Sequence, residues 1–322
     1  MYVNYKIIIV VQYVLYLNAK KNRIIVNKYL ELLVERGSEG LKYGNLRQRK
    51  TPIHAFKSEI LKDKSYSPVF FLSTGRTGTK FFTSLMQFDK NIFVQHTSKN
   101  DLIEQGKVVY ESYAAENVDI DTINRLSAQV FLAARERVLY ESYLHGRQFI
   151  ETNNRITFFA HAIKKWMPGA KFVHLVRNPG AFIRSGVRRE WYSGKTPHDI
   201  GRITPTSNSP HYNLWKKMDA IQKNAWLWNE TNQFIEDFLV TMPQEDYFQF
   251  NFDRLNEKKI EDLLSFLNIN IDHKIIRKKI GVPVNSQKQG SFPLYSNWKE
   301  EDKKKVVDIC GALAQTYGYD LS

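Results

Sequence analysis

Hydrophobic and polar positions along this chain follow two periods in turn. Short apolar runs at Val69 to Ser73, Ile92 to Gln95, Gln148 to Glu151 and Lys171 to Arg177 have the length of buried strands, and Tyr247 to Asn251 reads as a fifth. Between them the apolar residues gather on one side of a helix. Phe81, Phe82, Leu85, Met86 and Phe88 form such a stripe, and Thr122 to Tyr143 and Asn224 to Leu239 are the longest helical patterns. Strands alternating with helices predict an α/β fold in three layers, a central parallel sheet of about five strands covered by helices on both faces. Tyr192 to Leu214 breaks the pattern with Gly194, Pro197, Gly201, Pro205 and Pro210, so it reads as a loop, either a binding lid or a surface insertion. The polar, basic stretch from Gly37 to Lys64 reads as a connector. The expected organisation is therefore a partly helical extension over residues 1–66 and one domain over residues 67–322.

Composition adds charge to this picture. Apolar residues make up 43% and charged residues 25% of the chain, ordinary for a folded protein, while the formal net charge of +14 favours anionic partners. The single cysteine, Cys310, excludes an internal disulfide framework and fits a reducing compartment. Ile7 to Leu17 is apolar between Lys6 and Lys20 but shorter than the roughly 20 residues a membrane-spanning helix needs. It reads as a packed or interfacial element, and the expected location is cytoplasmic, with membrane contact as the alternative.

Two segments carry candidate chemistry. In Ser73-Thr74-Gly75-Arg76-Thr77-Gly78-Thr79-Lys80-Phe81, a strand runs through a glycine turn into a helix. Glycines let the backbone approach a ligand, and N–H groups at a helix start point at an anion. Arg76 and Lys80 add charge, and Thr77 and Thr79 add hydroxyl donors. The spelling is not the G-x-x-x-x-G-K-[ST] of a nucleoside triphosphatase, because Lys80 follows Thr79 and precedes Phe81. In the second segment, strand residues Phe172 to Val176 lead into Arg177-Asn178-Pro179, with Ser185 eight residues after Arg177. Asn178 suits a helix cap and Pro179 a first helical position, so Arg177 leaves the strand just as a helix begins.

Together these segments resemble the sulfotransferase family. Arg76, Thr77, Gly78, Thr79 and Phe81 match its 5′-phosphosulfate loop, and Arg177, Asn178, Pro179 and Ser185 match its R-N-P-x-x-x-x-x-S motif, which holds the 3′-phosphate of the donor. The resemblance covers roughly Ser67 to the end and implies a P-loop-like sulfotransferase domain. It implies 3′-phosphoadenosine-5′-phosphosulfate (PAPS) as donor, 3′-phosphoadenosine-5′-phosphate (PAP) as product, and no metal. Where this chain has Lys80, family members often have Thr or Ser. Phe250 to Leu255 takes the place of a Y-E-D-L-like turn, with Phe252 where Tyr is common, and Val284 to Gly290 looks like the family's basic loop, which adds Lys288 and Gly290 to the nucleotide site. Trp298, Gly318 and Tyr319 also look familiar.

The resemblance implies a transfer assisted by positive charge at the bridging oxygen, with Arg76 the first candidate and Lys80 the second. The general base is His96 or Glu151; His96 is favoured because a histidine accepts a proton near neutral pH. The acceptor is a hydroxyl or amine on a saccharide, lipid or small metabolite, and the basic balance points to an anionic one. Two alternatives stand beside this reading. A P-loop kinase would use ATP and magnesium and would have no use for Arg177 with Ser185. A basic nucleic-acid-binding protein would rest on the charge and on 13% aromatics alone, without a binding motif, so no nucleic-acid partner is expected. The sequence leaves the oligomeric state open.

Overall fold

The computed structural model describes residues 63–96, 100–280, 282 and 291–321. The extension up to residue 62, including Ile7 to Leu17, and the Lys288 and Gly290 loop lie outside the described residues.

Five strands form one parallel sheet in the order β2-β3-β1-β4-β5. They are β1 (Val69–Ser73), β2 (Ile92–Gln95), β3 (Gln148–Glu151), β4 (Lys171–Val176) and β5 (Tyr247–Asn251). The helices are α1 (Thr79–Met86), α2 (Ile103–Tyr113), α3 (Ile120–Leu144), α4 (Ala160–Trp166), α5 (Pro179–Val187), α6 (Ala220–Leu239), α7 (Glu257–Leu267), α8 (His273–Ile280) and α9 (Glu300–Thr316). This is the three-layer α/β architecture the periodicity predicts.

Alternation along β1 sets the layers. Phe70 and Leu72 face one side and pack with Phe149, Phe172 and residues of α3, α4 and α6. Val69 and Phe71 face the other and pack with Phe82, Val173, Phe250 and α7. The central strands β1 and β4 are buried on both faces because both are covered, as parallel sheets require, while the edge strands β2 and β5 are more exposed. A third apolar group, with Phe182, Trp226, Trp228 and Val306, binds α5 and α9 to α6.

The chain visits β2 and β3 on one side of β1 and then β4 and β5 on the other. The order therefore reverses at β1, and the segments leaving β1, β3 and β4 meet at the carboxyl ends of three adjacent strands, where α/β proteins form their binding crevices. The helical stretch after Asp101 is two helices, α2 and α3, and Asp119 caps the second through Asp121 N–H at 3.0 Å. Tyr192 to Leu214 is built of turns and one 3₁₀ turn, Pro197–Gly201, and it is packed: Ile203 is buried and accepts from the Tyr192 hydroxyl at 2.8 Å.

Candidate active site

The loop after β1 owes its shape to three residues in the left-handed region, Gly75 (φ 76°), Arg76 (φ 60°) and Gly78 (φ 87°). Glycine adopts this freely; arginine does so at a cost of about 1–3 kcal/mol, a cost that surrounding structure must offset. Here Arg177 helps to do so, donating from Nη1 to the Arg76 carbonyl at 2.8 Å. The two motifs, a hundred residues apart in sequence, are thereby one physical unit. Gly78 is required on a second ground: a Cβ there would lie 2.0 Å from the Phe252 ring. Phe252 thus closes over the loop through its ring, with Phe81 and Phe82 against it.

Gly78 is also the residue preceding α1, and no side chain caps that helix. The Thr77 hydroxyl is buried and has no hydrogen-bond partner. Arg177 Nε is likewise buried without a hydrogen bond, its nearest carboxylate being Asp253 at 3.8 Å. Asp253 is engaged elsewhere, accepting from the Tyr319 hydroxyl at 3.0 Å and from the Asn178 N–H. Buried polar groups are normally paired, so an orphan hydroxyl and guanidinium N–H beside an uncapped helix describe a place for an anion.

Asn178 caps α5 through Ala181 N–H at 3.1 Å, and Pro179 occupies its first turn. That places Ser185 on α5 facing the loop, where its Oγ accepts from Arg76 Nε at 3.3 Å and from Arg189 Nη1 at 2.6 Å. Arg189 was not foreseen. Its signal was present, since it follows Ser185 by four residues, the spacing that brings side chains together at a helix surface. Burial, followed by the charges of Arg76, Arg188, Arg177 and Arg202, pushes the Arg189 guanidinium down to about 10. Arg76 is lowered by burial and by Arg177. Arginines gathered this closely repel one another, and a bound polyanion would relieve that repulsion.

The remaining candidates separate clearly. Thr79 is buried at the start of α1, and Lys80 beside it is exposed. Phe81 is 4% exposed and in edge-to-face contact with Phe82, so its ring belongs to the core and not to a nucleotide surface. Glu151, the second candidate base, is fully buried, and both its oxygens accept from Arg135 at 2.7 Å. An acceptor hydroxyl has no route to a carboxylate held this way, so Glu151 is a structural ion pair that ties β3 to α3. The sequence could not show this, because Arg135 reads as one more polar position on a long helix.

His96 sits at the end of β2 and is partly exposed. Thr152 Oγ1 lies 3.0 Å from His96 Nδ1, 2.7 Å from Thr83 Oγ1 and 3.4 Å from the Gln95 carbonyl, so a small network of hydroxyls orients the imidazole through Nδ1. Burial first, then Lys80, holds the imidazole below its ordinary value, which keeps it neutral at neutral pH.

The fold and this arrangement define a three-layer α/β protein with a cationic site at the carboxyl ends of its strands. No family model matches the chain, and no curated protein does. Among solved structures, it is similar to the sulfotransferase domain from the curacin biosynthetic pathway, at 14% identity over 80% of this chain and 99% of that one, with a TM-score of 0.46. It is also similar to the sulfotransferase domain of the Synechococcus PCC 7002 olefin synthase, at 14% identity, 80% and 96% coverage and a TM-score of 0.44. A sulfotransferase from Mycobacterium avium matches at 11% identity, 83% and 82% coverage and a TM-score of 0.46.

Proposed function

We propose that the protein is a sulfotransferase that moves a sulfuryl group from PAPS to a hydroxyl or amine. The observation that carries this reading is the convergence of Arg76 and Arg189 on the Ser185 hydroxyl, with Arg177 bonded to the Arg76 carbonyl, next to a glycine loop whose Thr77 hydroxyl has no partner. An ATP-like ligand needs one phosphate cradle. A nucleotide with phosphates at both ends of its ribose accounts for the cradle and the second cluster together.

In this assignment the loop N–H groups and Thr77 hold the 5′ end, and Arg177, Ser185 and Arg189 hold the 3′-phosphate. When bound, the donor supplies a sulfuryl group on a mixed anhydride with its 5′-phosphate. The acceptor oxygen or nitrogen forms its bond to sulfur as the bond from sulfur to the bridging oxygen breaks, and that electron pair stays on the nucleotide phosphate, giving PAP. Arg76 and Lys80 stabilise the charge growing there. His96 takes the acceptor's proton at Nε2, and Thr152 orients the ring through Nδ1.

Calorimetric titration with PAP, with ATP as comparator and without magnesium, tests the donor assignment. Tight binding of PAP, weak binding of ATP, and loss of PAP binding in Arg177→Ala are expected; sulfur-labelled PAPS then reports transfer. A folded protein that ignores PAP would end this reading.

A further inference from the structure

Beside the loop, at the ends of β1 and β3, lies a cavity of ≈ 70 Å³. Ser73 and Thr74 contribute from the end of β1, Asn154 and Arg155 from the turn after β3, Lys107 from α2 and Arg202 from the Tyr192 to Leu214 segment. Ile103, Phe158 and Leu227 supply apolar wall. Among the described residues that line it, none is acidic.

Its two arginines are held rather than free-swinging. Arg202 lies over the Trp191 ring at 3.9 Å and gives Nε to Asp199 at 2.7 Å. Arg155 gives Nη1 to Asp101 at 2.5 Å. Each carboxylate fixes its arginine through one nitrogen, stands outside the cavity lining, and leaves the other guanidinium N–H groups for a ligand. Planar, preorganised guanidinium donors of this kind suit carboxylate and phosphate oxygens. Burial, and in part the charge of Arg155, lowers Arg202, so the two cations sense each other; the same Arg155 charge bears on His96. Asn154 and Arg155 of the cavity follow closely after Thr152, whose Oγ1 lies 3.0 Å from His96 Nδ1, so the cavity and the candidate base share the turn after β3.

We propose that this cavity takes a carboxylate or phosphate group carried by the sulfuryl acceptor, bound between Arg155 and Arg202 with Lys107 as the outer charge. The word acceptor rests on the sulfotransferase reading; the anion site does not. The space has room for a charged group, and the rest of the acceptor extends outward. A neutral acceptor would leave guanidinium groups dehydrated without a partner, which is how the site discriminates. The net charge alone could suggest an anionic acceptor; the cavity says which residues would read it.

The test uses the full chain saturated with PAP and two matched pairs of probes, glycerol 3-phosphate against glycerol and D-glucuronate against D-glucose, followed by ligand-observed NMR. The anionic member of at least one pair should bind about tenfold or more tightly than its neutral partner, the value of one charge-assisted hydrogen bond. Arg155→Gln and Arg202→Gln should each remove most of that preference while PAP still binds, which also shows that the variants fold. Equal binding within both pairs, or a preference that survives both substitutions, overturns the proposal. If the chain takes up no PAP yet binds the anions in an Arg202-dependent way, the anion site stands and the sulfotransferase reading falls.

Discussion

Arg189 and His96 show how single residues acquire chemistry from their surroundings. Arg189 ends the basic run Arg188-Arg189, which looks like solvated charge in the sequence, yet it donates to both the Ser185 hydroxyl and the Ser185 carbonyl. Replacing it with Gln should weaken PAP binding by roughly tenfold or more, the worth of a charge-assisted hydrogen bond, and leave AMP, which has no 3′-phosphate, almost unaffected. Calorimetry with the two nucleotides separates these outcomes; an equal loss for both would mean that Arg189 only supports the fold. His96 makes a different prediction. A base must be neutral to act, and burial lowers this imidazole, so activity should be flat through neutral pH and fall only below 6.5, the ordinary histidine value. His96→Gln should remove that acidic limb along with most of the rate, and a limb that persists in the variant would place the base elsewhere.

Elements were more legible than their pairings. All five strands could be placed from apolar runs of four to seven residues, with only the end of β4 drawn back from Arg177 to Val176. The cap and proline at Asn178-Pro179 likewise announced α5. What the sequence withheld were contacts that join distant elements, because local periodicity carries no information about them. The Arg177 bond to the Arg76 carbonyl is one, and the buried pair of Arg135 on α3 with Glu151 on β3 is another. That pair is 0% exposed on both sides, so removing one partner strands the other's charge in the interior. Glu151→Gln should therefore destabilise the protein by about 3–5 kcal/mol in denaturant unfolding. A loss below about 1 kcal/mol would show that Arg135 finds water or another acceptor, and would reopen the question of what Glu151 does.

For the molecule as a whole, the site and the core make opposing demands. No described helix is long and apolar enough to cross a membrane, and the stability of the described residues comes from apolar layers on both faces of the sheet and around α6. Against these layers the fold holds Arg76, Arg177 and Arg189 close together, and bends the Arg76 backbone into a left-handed conformation to do it. Like charges at one spot weaken the ligand-free protein, and a polyanion that binds only the folded state converts that repulsion into attraction. PAP at a hundred times its dissociation constant should stabilise the protein by about 2.7 kcal/mol, raising the melting temperature by roughly 4–5 °C. The Arg189→Gln variant should melt no lower than the parent without ligand, because it has lost a repelling charge, and should gain clearly less from the same concentration of PAP. Thermal unfolding of both proteins with and without PAP distinguishes this from a purely structural role, in which the variant would melt lower in both conditions by the same amount.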